Sequence, residues 1–418
     1  MRVNGATVRP MQTVCFSGTG AVCCLPMNRI IEQQFQVRYH YPVVFTCDVT
    51  DPANPSLRDV LRRGTAGPEP VRLVAVIDAG VAKAFPSLGE RIAAYLRHHL
   101  ADALLADDPV IVPGGEPLKS NRPAVEALIR RFADARLDRH AFVLAIGGGA
   151  VLDAVGYAAS LVHRGVRLVR LPTTVLSQND GGVGVKTAIN DPAGKNYLGT
   201  FAPPFAVIND RQFLAALPDA EWRAGIAEAF KVAMIKDAAF FHWLVEQAAA
   251  LAARDVDAMD ALIYRCAALH LQHIRESGDP FEFGRARPLD FGHWSAHQLE
   301  RMTGYRLGHG AAVAIGILLD TEYAVRIGRL PQAAADALHD GLTAAGFALW
   351  DAALARRLPD GRLEVLLGLA AFREHLGGAL SITLPTAIGA CADVADMDEA
   401  QLTAAVVSLH QRALARAS

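Results

Sequence analysis

The sequence predicts an α/β N-terminal domain built on a mostly parallel sheet, followed by an all-helical C-terminal domain. Three observations carry this. Short aliphatic runs at 71–78, 141–146 and 166–171 alternate with stretches of helical periodicity, the pattern of strands covered on both faces. After about Pro218 the β-branched runs disappear and helical patterns dominate. Aromatic residues make up only 7% of a chain that is 52% hydrophobic, so the core is aliphatic and alanine-based. Such a core suits helices on an open sheet better than a β-sandwich.

The elements follow in order. Residues 1–27 show no clear period and read as a disordered extension, with Met27 a candidate start. Residues 28–218 form the expected α/β domain. In it, Val71–Asp78 reads as a buried strand ending in an acid, and helical periodicity across 85–106 puts Ile92, Leu96, Leu100, Leu104 and Leu105 on one face. Pro109 to Val112 is a short apolar run before the turn Pro113-Gly114-Gly115, and 122–135 is a second amphipathic helix. A strand at 141–146 runs into Gly147-Gly148-Gly149, a helix follows over about 150–163, and Val166 to Leu171 gives another strand. Residues 219–418 form the expected helical domain, with breaks near 278–290, 304–310 and 377–389.

Composition narrows the function. Of 418 residues, 41 are Lys or Arg and 43 are Asp or Glu, a net charge of −2. Nucleic acid and anionic membranes both call for a basic surplus, so neither is expected as the main partner. No apolar run reaches the roughly 18 residues of a membrane span. The six cysteines contain no C-x-x-C pair, which argues against a cysteine zinc site and fits a cytoplasmic enzyme with incidental thiols.

Three segments carry candidate chemistry. Gly147-Gly148-Gly149 at a strand-to-helix junction lets a diphosphate approach the backbone at a helix N-terminus, although the G-x-G-x-x-G fingerprint is absent. Asp78, at the end of the first strand, is placed to hold a ribose hydroxyl. The alternative for the glycine run is a plain tight turn. The segment 171–200 combines Thr173, Thr174, Asp180, Lys186, Lys195 and Asn196 with many glycines, a polar loop suited to phosphate and hydroxyl groups. Its bland alternative is a solvated loop. Glu228 and Lys231 share a helical face, as do His293 and His297, and His309 lies in Gly-His-Gly. One Glu and two His make a three-ligand metal site with an open position, although the spacing is not H-E-x-x-H and a surface His pair is the competing reading.

Taken together, these strings resemble the sugar phosphate cyclases, the superfamily of 3-dehydroquinate synthase, over roughly residues 70–390. The matching strings are Gly-Gly-Gly-x-x-x-Asp at 147–153, Arg-Gly-Val-Arg at 164–167, Leu-Pro-Thr-Thr at 171–174, the segment from Asp180 to Lys186, Gly-Lys-Asn at 194–196, Ala-Glu-x-x-Lys at 227–231, Phe-Gly-His-x-x-x-His at 291–297 and His-Gly at 309–310. The resemblance implies a nucleotide-binding α/β domain and a metal-binding helical domain. It implies NAD and a divalent metal, usually zinc, as cofactors, with Glu228, His293 and His309 as metal ligands. NAD contacts would fall to Asp78, Glu116, Lys119, Gly148, Gly149, Ala150, Asp153, Thr173, Thr174 and Lys195. Asp180 and Lys186 would sit where nicotinamide and substrate meet, and Lys231 would contact substrate hydroxyls. Phosphate would be held by Lys186, Asn196 and His297, with Arg164 supplied by the neighbouring subunit of a homodimer. The implied reaction is a phosphate-eliminating lyase cycle: transient oxidation of a ring carbon, loss of phosphate, return of the hydride, ring opening and aldol closure.

The departures bear on substrate. Asp290 stands where dehydroquinate synthases have Asn before Phe-Gly-His, and His270 stands where they have Lys. The segment from Ser277 to Pro288 is two residues longer, leaving Arg285 and Arg287 as competing equivalents of one family Arg. Phe372-Arg373-Glu374 replaces a basic Asp-Lys-Lys string, and His309-Gly310-Ala311 replaces His-Gly-Glu, removing a carboxylate. An anion site that loses Asn and Lys to Asp and His repels a carboxylate, whereas Asp290 can accept a hydrogen bond from a hydroxyl. The expected substrate is therefore a phosphorylated ketose without a carboxylate, of the sedoheptulose 7-phosphate kind. The string from Ser277 to Trp294 is similar to the dehydroquinate-synthase-like proteins of bacterial Ebo operons. The alternatives are a genuine 3-dehydroquinate synthase and a metal-dependent polyol dehydrogenase.

Overall fold

The computed structural model describes residues 31–64, 71–100, 103–192, 194–284 and 287–417. The extension at 1–27, the candidate start Met27 and the candidate Arg285 lie outside the described residues. Strands β1 (Val43–Thr46), β2 (Val71–Asp78), β3 (Ala103–Leu105), β4 (Val110–Val112), β5 (Phe142–Gly147), β6 (Arg167–Pro172) and β9 (Ala206–Asp210) form one sheet in the order β1–β9–β6–β5–β2–β3, with β4 also on β2. Every pairing in it is parallel.

The alternation of side chains explains why these runs read as continuous apolar sequence. Val74, Val76, Val143 and Ala145 face one way, packing with Leu128 and Phe132 of the helix Arg122–Asp134 and Val151 and Val155 of the helix Gly149–Leu161. Leu73, Ala75, Ile77, Leu144 and Ile146 face the other way, onto Ile92 and Leu96 of the helix Leu88–His99. Both faces are covered, so the fully buried middle of these strands is apolar, and the polar Arg72 and Asp78 lie at the half-buried ends of β2. From β2 the chain moves outward to β3 and β4, then crosses back to β5 and on to β6 and β9. The direction of winding therefore reverses between β2 and β5, and a crevice opens beyond their C-terminal ends.

Several elements depart from the expected ones. The helix expected over 85–106 ends at His99 with Leu100 as its cap. Leu104 and Leu105 belong to β3, where Leu105 pairs with Leu73. A short apolar run satisfies a helical period and an edge strand equally, and the free edge of β2 decided the matter. The segment 171–200 is only partly loop, because Lys186–Asp191 (β7) and Gly194–Phe201 (β8) form an antiparallel hairpin. The C-terminal part is helical except for one hairpin, Ile382–Ala387 (β10) with Ala390–Val394 (β11), which occupies the break expected near 377–389. Its Ile382 and Leu384 are buried in the core of the helical region. The sheet ends at Asp210 and the helix Asp219–Lys236 begins nine residues later, at the composition change read after Pro218. Residues 41–418 form one compact unit, so the cleft between sheet and helices lies within it. Among the described residues, no helix is long and apolar enough to cross a membrane, and Cys47, Cys266 and Cys391 are free thiols.

Candidate active site

Asp78 and the glycine turn meet at the crevice. The Asp78 carboxylate accepts from the backbone N–H of Gly80 at 2.7 Å, which holds it at the mouth of β2. Gly114 passes so close that a Cβ there would lie 2.7 Å from both Asp78 oxygens, so no side chain fits at that turn. The helix Gly149–Leu161 starts from Gly148 with no side-chain cap, leaving its first N–H groups directed into the crevice. A Cβ on Gly149 would meet nothing within 4 Å, whereas one on Gly148 would touch Thr174. Thr173 is tied to this turn by its N–H, which donates to Gly147 at 3.0 Å. An acid, an uncapped helix start and open space above Gly149 fit the ribose and diphosphate of a dinucleotide. Beside them Lys119 donates to Asp153 at 2.7 Å and also pairs with Asn196. Glu116 accepts from Asn190 at 2.8 Å and lies 3.7 Å from Lys195.

The connection after β6 carries Asp180 into the cleft. Buried Arg170 donates to the carbonyls of Gly182, Gly184 and Lys186 at 3.1, 2.7 and 3.0 Å, and so shapes the chain between Asp180 and β7. Asn179 donates to the Gly225 carbonyl at 2.8 Å and docks the turn on the helix Asp219–Lys236. Asp180 then accepts from His270 at 2.8 Å and lies 3.7 Å from the Lys231 ammonium. Burial works to raise the Asp180 carboxyl, but Lys231 and His270 outweigh it and hold it at about 2. Burial likewise opposes the charge on Lys231, yet Glu228 and Asp180 keep its ammonium above the ordinary lysine value. Asp290 adds to that negative field.

Glu228, His293 and His309 converge from three helices: Asp219–Lys236, His293–Met302 and His309–Arg326. Glu228 Oε1 lies 3.5 Å from His293 Nε2 and 3.3 Å from His309 Nε2, and the Lys231 ammonium is 2.5 Å from Oε2. Neither Glu228 oxygen, both buried, makes an aligned hydrogen bond. Four ligands arranged tetrahedrally at about 2.05 Å from zinc are separated by roughly 3.3 Å from one another. The two edges that run from Glu228 to the histidines therefore already match such a centre, and all three ligand atoms lie within 4.8 Å of one another, with a fourth position left open. The electrostatics agree. Burial disfavours charge on Glu228, but Lys231 and the two histidines hold its carboxyl well below the ordinary range. Burial also works against a charged His309, but Glu228 and Glu300 outweigh it and raise the imidazole to about 9, so the cluster attracts a positive charge. His297, packed 5.3 Å from the His293 ring and 5.8 Å from that of His309, is driven well below its usual range by burial and by those two neighbours.

The sequence-level set thus falls into one cleft, with clear exceptions. Lys186 is half exposed and ion-paired with Glu282. Arg164 does not reach the cleft from its own chain. It is exposed at the far end of the helix Gly149–Leu161, about 20 Å from the glycine turn at 1.5 Å per residue. Arg373 lines a cavity of about 270 Å³ with Leu366, Leu380 and Met397, and none of the candidate site residues is in its walls. Sequence reasoning missed Arg170, Asn179, Glu282 and Glu300. Glu300 had a signal: with His293 and His297 it completes an i, i+4, i+7 stripe on one helical face. The others act through backbone carbonyls or across long separations, which no local spacing reveals.

The 3-dehydroquinate synthase N-terminal family model matches residues 109–224, and its C-terminal counterpart matches 225–360. The chain belongs to the 3-dehydroquinate synthase family. Two curated 3-dehydroquinate synthases are among its relatives. That of a Nitratiruptor species is 40% identical over 223 residues, 53% of this chain and 62% of that protein. That of Dictyoglomus thermophilum is 35% identical over 299 residues, 71% of this chain and 81% of that protein. Among solved structures, the 2-epi-5-epi-valiolone synthase of Streptomyces hygroscopicus subsp. jinggangensis, with NAD+ and Zn2+ bound, superposes with a TM-score of 0.79 at 30% identity, covering 91% of this chain and 100% of that one.

Proposed function

We propose that this protein is an NAD- and metal-dependent sugar phosphate cyclase acting on a phosphorylated ketose that lacks a carboxylate. The observation that carries the substrate reading is the Asp180–His270 hydrogen bond at 2.8 Å. His270 occupies the position of the family's lysine, and here that position spends its donor on Asp180 and offers no fixed cation to a substrate carboxylate. Asp290 and Glu282 add negative charge along the same wall. A valiolone-type synthase as structural neighbour supports the same reading.

In this reading Glu228, His293 and His309 hold the metal, and Asp78 with the glycine turn holds the ribose and diphosphate of NAD. When bound, the nicotinamide would accept and return a hydride, and the metal would lower the pKa of a ring hydroxyl. Lys231 donates to the substrate hydroxyls beside the metal ligands, its charge kept in place by Glu228 and Asp180. His297 stays neutral, so one ring nitrogen accepts a proton while the other donates. Lys186 and Asn196 bind the phosphate, and Arg164 of a second subunit closes that end in a homodimer. The cleft keeps both ends of the opened chain within reach of each other, which favours the intramolecular aldol closure.

The test is phosphate release by the protein loaded with NAD and zinc. Release from sedoheptulose 7-phosphate, with little from 3-deoxy-arabino-heptulosonate 7-phosphate, is the expected result; the reverse preference overturns the substrate reading. A second reading, genuine 3-dehydroquinate synthase, is favoured by the 35% and 40% identity to two such enzymes and is the outcome of that reversal.

A further inference from the structure

Glu300 lies on the helix His293–Met302, one turn past His297 and two past His293. Its side chain is 5% exposed. One oxygen accepts from His309 Nδ1 at 3.1 Å and the other from the Lys195 ammonium at 3.2 Å. A carboxylate held by an ammonium is ionised and only accepts, so His309 Nδ1 carries the proton. The other ring nitrogen, Nε2, is then the one left to give its lone pair when a metal displaces its proton, and it is the atom that lies 3.3 Å from Glu228 Oε1. His309 opens its helix directly after Gly308, where no preceding turn fixes its side chain. Gly310 lets that helix start approach the Glu228 helix so closely that a Cβ would fall 2.3 Å from the backbone of Ala224. The backbone there is constrained, and the ring is left to be oriented by what its Nδ1 meets.

We propose that Glu300 is the positioning residue of the metal centre: it fixes the Nδ1–H form and orientation of His309, presents Nε2 to the metal, and through Lys195 ties the centre to β8. The inference rests on the reading that Glu228, His293 and His309 hold a divalent metal. A histidine ligand whose outer nitrogen loses its carboxylate typically costs 10–100-fold in metal affinity.

Cobalt(II) titration of the metal-free full chain, followed by visible absorption and by competition with a chromophoric chelator, tests this without any turnover. Glu300→Ala is expected to weaken cobalt binding by about 10–100-fold while leaving the position and shape of the cobalt absorption bands unchanged, because the ligands are the same. Glu300→Gln is expected to fall between Glu300→Ala and the unaltered chain, since its amide oxygen still accepts from Nδ1–H. It also carries the test if Glu300→Ala does not fold. Glu228→Gln is expected to lose the cobalt bands. Unchanged affinity in Glu300→Ala overturns the inference and leaves the metal reading standing. Loss of the bands in Glu300→Ala with their retention in Glu228→Gln also overturns it, and would make Glu300 a direct ligand with His297 and His309, the second grouping within ligand distance. No cobalt binding by the unaltered chain removes the metal reading itself.

Discussion

The two ends of the cleft are built on opposite plans. At the proposed metal end, Glu228 and Lys231 are all but fully buried, and they meet histidines that are themselves held by Phe291 and Glu300. At the proposed phosphate end, Lys186 is 52% exposed and Arg164 lies on the outer surface. The metal end is thus assembled by packing before any ligand arrives. The phosphate end is held by a surface ion pair, and in the proposed homodimer Arg164 of the second subunit would complete it. Chemistry that must place a proton or a hydride demands the first plan. A doubly charged group that arrives and leaves in each cycle tolerates the second.

The largest expected effect comes from breaking the packed end. Glu228→Gln should lose zinc and lower phosphate release by more than about 100-fold, the upper range for losing only an outer partner. Metal analysis of the purified variant and its turnover check both. Retained zinc would show that the packed end is not where the metal sits. Next comes the wall between the ends. The double change His270→Lys with Asp290→Asn should move the kcat/KM ratio toward the carboxylated ketose phosphate by about tenfold or more, corresponding to about 1.4 kcal/mol of charge-assisted contact. A ratio that does not move would separate substrate choice from this wall.

At the open end the effect should be smaller. Glu282 competes with phosphate for Lys186, and an exposed pair of this kind contributes up to about 1 kcal/mol. Glu282→Gln should therefore lower KM by up to about fivefold, with kcat little changed. A fall in kcat would mean that Glu282 does more than cover the lysine. The smallest effect concerns what anchors the packed end. Asp320 is fully buried and accepts from Trp294 Nε1 at 2.7 Å and from the Gly292 N–H at 2.9 Å, fixing the start of the His293 helix. Burial outweighs these bonds and pushes its carboxyl up to about 7. Between about pH 4, the unfolded value, and pH 7 the folded state therefore holds a proton that the unfolded state has lost, and stability falls as pH rises through that window. Melting temperatures from pH 5 to 7.5 should decline in the unaltered chain and decline less in Asp320→Asn.

The legible parts of this molecule share a property: their chemistry is local in sequence. Val71–Asp78 and 141–147 are continuous aliphatic runs because both faces of the strand are covered, and that reads directly. Gly147-Gly148-Gly149 and the His293, His297 pair lie within a turn or two of helix. The less legible parts depend on where chain ends meet. Leu104 and Leu105 continue a helical period in sequence and are strand residues because β2 has a free edge. Lys186–Asp191 became a strand only because Gly194–Phe201 returns alongside it, and Ile382–Ala387 did so by folding back on Ala390–Val394.

The alternation of strands and helices and the glycine turn after β5 are written in the sequence, because residue type and short spacing are all these require, whereas Glu228, His293 and His309, the histidines 65 and 81 residues beyond the glutamate, were named as ligands through the resemblance of their strings to a known family. That Arg170 holds the Asp180 connection, that Glu282 covers Lys186, and that Glu300 reaches His309 became visible with the folded chain. Each of these contacts joins groups brought together by packing. Charge and hydrogen bonding act over a few ångströms of space, whatever the distance along the chain.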